Sequence, residues 1–251
     1  KVPFIVDNTV ATPYLLNPIH YGADIVIHSL TKYITGNGTS LGGVIIDAGN
    51  FDWSNGKFPE FTEPSAGYHG LVYHEALGNA AFIAKVRIEG LRDYGAALSP
   101  FNAFQIIQGL ETLPIRVQKH SENGLALAQW LEKQEAVAWV NYPGLKSSKY
   151  YDLATQYLPK GQNGLLTFGL KGGFEAAKKV ADETKLFSLL AHIGDTKSLI
   201  SHPASTTHQQ LSDAEQVATG VTKDLIRLSV GLEDIEDLKA DLQAVFENLK
   251  V

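Results

Sequence analysis

Short apolar runs that alternate with amphipathic ones restrict the fold of this chain more than any other feature of its sequence. Six runs have the length and composition of buried strands: PFIVD, ADIVIHS, GGVIID, AVAWVNYP, GLLTFGL and LIRLSV. Between and after them lie segments with the 3.6-residue period of helices: SKYYDLATQYL, FEAAKKVADET and IEDLKADLQAVFENL. Strands and helices in this alternation predict an α/β fold.

Local signals mark further elements. Ser99 followed by Pro100 is typical of a helix N-cap and first turn, and Ser212 with Glu215 has the spacing of a capping box. A long amphipathic run, IRVQKHSENGLALAQWLEKQ, predicts a helix. Residues 48–70 are aromatic and interrupted by Gly and Pro, which predicts a mobile functional loop. Beyond about residue 135 the pattern is that of a second α/β unit.

The start of the chain carries a signal of its own. The sequence opens KVPFIVD, without methionine, and enters at once a strand of the fully apolar kind that needs neighbours on both sides. Because a core strand rarely opens a domain unsupported, we interpret the chain as part of a longer protein.

Composition excludes several classes of function. The 251 residues carry a net charge of -6 and show no basic stripe for nucleic acid. No apolar run reaches the roughly 18 residues of a membrane span. There is no cysteine, which excludes disulfides, thiolate metal sites and a cysteine nucleophile within this segment. We therefore expect small-molecule partners and a cytoplasmic location.

One lysine is notable for its position. In DIVIHSLTKYITGNGTSLGGVII, residues 24–46, Lys32 comes just after an apolar strand, among hydroxyl side chains and ahead of several glycines. A lysine at the C-terminal end of a buried strand loses hydration, which favours the neutral amine that attacks carbonyl groups. Lys32 is thus a Schiff-base candidate. Taken alone, it also fits a surface lysine whose stem lies along apolar residues.

The neighbours of Lys32 favour the Schiff base. Ser29 and Thr31 offer two hydroxyl donors within a turn of Lys32, suited to a phosphate on the carbonyl compound. Asp7 ends the neighbouring strand at the same edge, where its charge would keep a pyridine nitrogen protonated. An aldehyde, a phosphate and a pyridine ring together describe pyridoxal 5'-phosphate (PLP). The sequence predicts that PLP binds at this edge.

An arginine within LIRLSV predicts an anion site. Period-2 alternation places Arg227 in mid-strand, on the same face as Leu225 and Ser229 and among apolar residues. A guanidinium in such surroundings needs an anion, either the carboxylate of an amino-acid substrate or an Asp or Glu of the protein. The strand alone leaves both open.

Rival motifs are weaker. GTSLG, residues 38–42, has the G-x-S-x-G form of a serine-hydrolase elbow, with Ser40 as nucleophile and His202 or His208 downstream. However, TKYITGN separates this serine from the strand that should lead directly into it. The same glycines do not complete G-x-G-x-x-G, because residue 41 is leucine. The eight histidines lack the spacing of metal ligands, so no metal site is expected.

The segment VDNTVATPYLLNPIHYGADIVIHSLTKYITG resembles the lysine region of the Cys/Met-metabolism PLP-dependent enzymes. The similarity continues through GLETLPIR, HPASTTH and IRLSVGLED, and so covers almost the whole chain. It implies the fold of the aspartate-aminotransferase type, fold type I. Residues 1–112 would then be the C-terminal part of the large PLP-binding domain with interdomain helices, and residues 113–251 the small C-terminal α/β domain.

The resemblance also implies roles for individual residues. Five would hold the cofactor: Asp7, Thr9, Ser29, Thr31 and Lys32. Among them, Lys32 would bond covalently, Asp7 would meet the ring nitrogen and Thr9 would touch the ring, while the two remaining hydroxyls would bind phosphate. Three would bind the amino-acid substrate: Ser198, Thr207 and Arg227. Arg227 would grip its α-carboxylate.

The long aromatic segment and IGDTKSLISHPASTTH look most like the O-acetylhomoserine sulfhydrylase branch of the family. That branch implies a transferase of methionine biosynthesis, which replaces the acetate of O-acetyl-L-homoserine with sulfide to give L-homocysteine. The absence of cysteine fits sulfur supplied as a free substrate. Cystathionine γ-synthase or γ-lyase activity is the enzymatic alternative. A PLP-fold subunit that serves only in assembly is the non-enzymatic one.

The resemblance further implies parts outside this segment. In the family, the glycine-rich phosphate loop and the aromatic residue stacked on the cofactor come before the region that this chain matches. We therefore expect cofactor binding and activity to need this missing N-terminal portion, and we expect a homotetramer by the same resemblance.

Overall fold

A computed structural model describes residues 1–249, in which helices connect and cover two β-sheets. The strands are β1 (Ile5–Asp7), β2 (Ile25–Ser29), β3 (Gly43–Asp47), β4 (Val137–Asn141), β5 (Leu165–Leu170), β6 (Ser188–Leu189), β7 (Leu199–Ser201) and β8 (Leu225–Ser229). The helices are α1 (Thr12–Leu15), α2 (Pro59–Thr62), α3 (Tyr73–Leu77), α4 (Ala81–Lys85), α5 (Arg92–Tyr94), α6 (Pro100–Glu111), α7 (Leu113–Leu131), α8 (Tyr151–Tyr157), α9 (Gly173–Glu183), α10 (Asp213–Ala218) and α11 (Ile235–Phe246). No helix within the described residues is long and apolar enough to cross a membrane.

The first sheet places the ends of two strands side by side. Its order is β1-β2-β3, with β1 parallel to β2 and β2 antiparallel to β3. Asp7 pairs with Ile27 in the register, so the carboxyl ends of β1 and β2 meet at one edge. The backbone N–H of Asn8 donates to Ile27 O at 2.9 Å and continues the pairing one residue beyond the strand.

β1 is less enclosed than its apolar pattern predicts. Phe4 is 52% exposed and Ile5 is 49% exposed. Within residues 1–249, β1 pairs with β2 alone. The expected neighbour on its other side is therefore not among the described residues.

The second sheet has the order β4-β5-β8-β7-β6, antiparallel except for the pair of β6 and β7. Helices α7, α9 and α11 contribute to its core, in which Leu127, Phe168, Val180 and Leu242 are fully buried. The second unit thus consists of helices packed on a largely antiparallel sheet. Arg227 lies in the middle of β8, the central strand of that sheet.

Helix α7 ties the two units together through a buried arginine. Its N-terminal half packs with Tyr33 and Ile34, and its C-terminal half joins the core of the second sheet. The guanidinium of Arg116 donates to the carbonyls of Tyr33 at 2.7 Å, Ile34 at 3.0 Å and Gly109 at 2.7 Å. The guanidinium thus donates to backbone carbonyls just after Lys32, because the irregular turn does not supply the hydrogen-bond partners that a regular helix would.

Residues 48–70 contribute to a hydrophobic cluster that they share with β2, α3 and α4. Trp53 is 3% exposed and contacts the rings of Phe51, Phe58, Phe61 and Phe82. The sequence predicts a mobile functional loop here. The structure instead shows a segment anchored by aromatic packing, which its Gly and Pro content conceals.

The predicted α/β alternation is confirmed. Each strand and helix pattern named above corresponds to an element, with shifts at the ends. Ser99 Oγ accepts from the backbone N–H of Asn102, and the capping box of Ser212 and Glu215 is present with both of its bonds. Because α7 contacts both units, the division between residues 112 and 113 stays a prediction.

Candidate active site

Asp7 lies at the end of β1 in a network that keeps it ionised. Its Oδ1 accepts from Thr9 Oγ1 at 2.6 Å and from Thr9 N–H at 3.0 Å. These two bonds lower the pKa of Asp7 below its usual value, and the nearby His28 adds to the effect. Thr9 Oγ1 in turn accepts from the backbone N–H of Ser29 at 2.8 Å, which joins the ends of β1 and β2. The carboxylate is thereby oriented at the edge where the sequence places it.

Lys32 lies in an irregular turn, Leu30–Ile34, directly after β2. Its own backbone leaves the helical region, with φ -89° and ψ -131°. Two bonds close the turn: Thr35 Oγ1 donates to Leu30 O at 2.6 Å, and Gly36 N–H donates to Lys32 O at 2.9 Å. Lys32 Nζ lies 3.2 Å from His192 Nδ1. A hydroxyl and a glycine three and four residues after the lysine thus shape the turn that carries it.

The two hydroxyls predicted to bind phosphate differ in their surroundings. Thr31 Oγ1 accepts from Gly42 N–H at 3.1 Å and lies 3.3 Å from Gly42 O, to which it donates. Thr31 therefore links the lysine turn to the start of β3. The side chain of Ser29 makes no hydrogen bond among residues 1–249, so its hydroxyl can bind a ligand.

Arg227 lies in mid-strand, and no carboxylate within residues 1–249 forms an ion pair with it. In the register it stands between Thr167 of β5 and Ser201 of β7. Its Nη2 donates to Ala191 O at 2.7 Å. The four ion pairs found within residues 1–249 do not include it. Burial lowers the pKa of Arg227 below its usual value. The alternative in which Arg227 pairs with a protein Asp or Glu is wrong for the described residues.

Asp7 and Arg227 line the same cavity, which has a volume of about 620 Å³. The wall also contains Asn8 from the first unit and Asn141 and Gln162 from the second. We call this space the site cavity. It brings a carboxylate and a guanidinium to one space, whereas Thr9, Ser29, Thr31 and Lys32 do not line it, so the predicted grouping of all these residues stays a prediction.

Residues 191–196, which we call the linking segment, contact both Arg227 and Lys32. This role was not predicted from the sequence. Ala191 O holds Arg227, His192 meets Lys32, and Gly194 N–H donates to Ser229 Oγ at 2.9 Å. Gly194 has φ +77°, and a Cβ there would lie 2.7 Å from the backbone N of Tyr33. Only glycine fits this approach. The glycine within IGDTKS was the signal in the sequence that could have found it.

Two of the predicted substrate residues are not brought to the site cavity. Ser198 is completely buried, and its Oγ donates to Glu233 Oε2 at 2.8 Å and accepts from Gly231 N–H at 2.8 Å. Thr207 is exposed, and its Oγ1 lies 2.8 Å from His208 Nδ1. Neither lines the cavity in this structure, and their contact with substrate stays a prediction.

The rival motif does not assemble. Ser40 is 3% exposed and donates to Gln105 Oε1. His202 is engaged with Ser205 and with the carbonyl of Lys223, and His208 with Thr207. The described part of the chain holds no group of three or more His, Cys, Asp or Glu side chains that fits a metal ion.

Comparison with known proteins decides the family. The sequence profile of the Cys/Met metabolism PLP-dependent enzymes matches residues 1–247. The chain belongs to this family.

Relatives within the PLP-dependent family are close. O-acetyl-L-homoserine sulfhydrylase of Leptospira meyeri is 54% identical over 99% of this chain, and O-acetyl-L-homoserine sulfhydrylase 1 of Thermus thermophilus is 53% identical over 96%. A Campylobacter jejuni structure, provisionally described as an O-acetylhomoserine (thiol)-lyase, matches 98% of this chain with a TM-score of 0.93 and 46% identity. That structure contains N'-pyridoxyl-lysine-5'-monophosphate. The predicted family and its fold type I are confirmed.

The match is one-sided in length. The chain spans 58% of each of the two sulfhydrylases and 59% of the Campylobacter jejuni chain. The activity of these relatives therefore belongs to proteins that are longer than this chain.

Proposed function

We propose that the full-length protein containing this chain is a PLP-dependent transferase that replaces the acetate of O-acetyl-L-homoserine with sulfide, giving L-homocysteine and acetate. The observation that carries the proposal is the shared cavity, where an ionised Asp7 and an Arg227 free of protein carboxylates within residues 1–249 face one space. The two relatives at 54% and 53% identity are named for this activity, and the choice of O-acetyl-L-homoserine as substrate rests on those names.

The side chains of this site fit PLP. Asp7 presents Oδ2, which accepts no hydrogen bond within residues 1–249, beside an Oδ1 already held by Thr9. Such an anion suits a protonated ring nitrogen. Lys32 supplies the primary amine, and the free hydroxyl of Ser29 with that of Thr31 suits a phosphate. When bound, PLP supplies an electron sink for the substrate carbons.

Each residue then has a defined task. Lys32 removes the proton from the substrate Cα and moves protons at Cβ, so that acetate can leave from Cγ and sulfide can add there. Thr9 fixes the Asp7 carboxylate and, with it, the proton on the ring nitrogen. Arg227 binds the α-carboxylate with its planar fork and so orients Cα toward the lysine.

The remaining predictions on organisation are proposals too. From the family resemblance we propose that the protein is a cytoplasmic homotetramer. We also propose that the chain divides into two domains between residues 112 and 113, and that residues preceding this segment complete the site. The exposed apolar side chains of Ile5 on β1 and of Phe4 just before it support a further strand or chain beside that edge.

A comparison of acceptors tests the proposal. With O-acetyl-L-homoserine as donor, the full-length protein should release acetate and form homocysteine fastest with sulfide. Faster turnover with cysteine would replace the proposal with cystathionine synthesis, and turnover with water alone would replace it with γ-elimination. If cofactor binds but no acceptor supports acetate release, the protein serves only in assembly. Lys32→Ala is the control, since it should show none of these activities.

A further inference from the structure

His192 contacts the amine that the proposed function makes reactive. Its Nδ1 lies 3.2 Å from Lys32 Nζ, although the two residues are 160 positions apart in the chain. The imidazole is partly buried, and its Nε2 is buried without a hydrogen-bond partner among the described residues. A surface histidine would leave that nitrogen in water. The ring is therefore held against the lysine by the fold rather than by chance contact.

The backbone around His192 is fixed at both ends. On one side, Ala191 O is bonded to Arg227 at 2.7 Å. On the other, Gly194 N–H is bonded to Ser229 at 2.9 Å, and Thr196 N–H donates to Gly36 O at 2.8 Å. These bonds attach the linking segment to β8 and to the lysine turn, so the imidazole has little freedom to move away.

The electrostatic surroundings favour a neutral imidazole. Burial and the adjacent charge of Lys32 lower the pKa of His192 below its usual value, with a smaller contribution from Arg227. Asp195 opposes them. A neutral ring can accept a hydrogen bond at Nδ1, the nitrogen that faces Lys32 Nζ.

From this geometry we propose that His192 is a positioning residue for Lys32. It accepts a hydrogen bond from the lysine amine when that amine is not covalently engaged, and so keeps the amine at the edge of the site. The inference rests on the proposed function, because the position of the amine matters only if Lys32 reacts through it.

Two amide variants separate the hydrogen bond from bulk. In His192→Asn the amide group lies near the former position of Nδ1, whereas in His192→Gln it lies near that of Nε2. Asparagine therefore keeps a partner for Lys32 without a titratable ring, and glutamine keeps a polar side chain in the wrong place. His192→Ala removes the hydrogen-bonding group and the bulk of the side chain.

The first readout is covalent capture of cofactor, which needs no turnover. Apo full-length protein is mixed with PLP, and the absorption band of the lysine-bound cofactor is followed over time at several pH values. We expect capture near pH 7 to slow about tenfold in His192→Ala and His192→Gln, consistent with loss of one useful hydrogen bond. His192→Asn should recover most of the rate. In the wild type the advantage should fade as pH drops and the ring becomes protonated, whereas His192→Asn should not show that loss.

The second readout is steady-state kinetics with sulfide. Because His192 acts through the lysine and not on the substrate carboxylate, kcat should fall about tenfold in His192→Gln while KM for O-acetyl-L-homoserine stays within about twofold. If His192 had only a structural role, the variants would have a lower melting temperature. The rate of cofactor capture would then have the same pH profile as in the wild type, and His192→Asn and His192→Gln would not differ.

The outcomes are distinguishable from failure of the proposed function. If Lys32→Ala still captures PLP with the same band, the proposed function is wrong whatever His192 does. If Lys32→Ala loses the band but His192→Gln and His192→Asn both capture at the wild-type rate and pH dependence, only the role of His192 is overturned. Should His192→Ala not fold, the comparison of Asn with Gln still decides the question.

Discussion

Arg227 offers the sharpest test of substrate recognition, because its proposed contact with the substrate carboxylate and its one backbone bond predict different effects of substitution. The guanidinium makes one bond to the protein, from Nη2 to Ala191 O at 2.7 Å, and pairs with no carboxylate within residues 1–249. Arg227→Ala should therefore remove a substrate contact and one neutral backbone contact. Arg227→Lys should keep the charge and lose the planar fork.

The magnitudes follow from the surroundings of the side chain. Removing one partner of a buried charge pair costs about 2 to 5 kcal/mol. Arg227 is only partly buried, which favours the lower part of that range, about 2 to 3 kcal/mol. Catalytic efficiency should then fall roughly 30-fold to 150-fold in Arg227→Ala, and about tenfold in Arg227→Lys. The lost bond to Ala191 O is worth about 1 kcal/mol of stability, or roughly 2 to 4 °C in melting temperature.

The assay measures kcat/KM for O-acetyl-L-homoserine and the melting temperature on one preparation of each variant. Arg87→Ala is the matched control, since Arg87 is exposed and makes no hydrogen bond in the described part of the chain. We expect efficiency to fall in the order Arg, Lys, Ala, with the band of lysine-bound cofactor retained. An unaltered efficiency combined with a large drop in melting temperature would refute the reasoning and remove Arg227 from the substrate site.

Three other residues give predictions of their own. Asp7→Asn keeps the shape but loses the charge, so kcat should drop about a hundredfold while PLP still binds, as measured by absorbance and turnover; unchanged turnover would mean that another group protonates the ring. Burial lowers the pKa of His120 to about 4 from its usual 6.5, so the unfolded chain binds more protons between these values. The free energy of unfolding should accordingly decrease by about 3 kcal/mol as pH falls from 6.5 to 4, and denaturant titrations of His120→Asn should show a flatter dependence. Gly194→Ala should destabilise the fold by at least about 2 kcal/mol in the same titrations, because its Cβ would lie 2.7 Å from the backbone of Tyr33; wild-type stability would contradict the close approach.

The parts of the site that could be predicted are those governed by strand periodicity. Asp7 and Ser29 end adjacent parallel strands, so their proximity follows from the rule that such ends share one edge. Arg227 follows from the two-residue period of its strand. Family resemblance added expected roles that periodicity cannot give, such as contact of Thr9 with the cofactor ring.

The contacts that could not be predicted involve irregular segments and choices between equivalent hydroxyls. His192 meets Lys32 through a segment without regular structure, and no pattern in the sequence encodes that meeting. Ser198 forms hydrogen bonds with Glu233 and Gly231 that place it in the interior, and these partners lie more than 30 residues away in the chain. For residues 48–70, Gly and Pro content outweighed the aromatic side chains, and the core around Trp53 was missed.

We propose that this site works through a cofactor bonded to Lys32, and chemical trapping of that bond tests the claim. Full-length protein is loaded with PLP, treated with borohydride to make the lysine bond permanent, digested and mapped by mass spectrometry. We predict that the pyridoxyl group appears on the peptide that contains Lys32 and is absent from that peptide in Lys32→Ala. A pyridoxyl group on a different lysine, or on none, would contradict the claim.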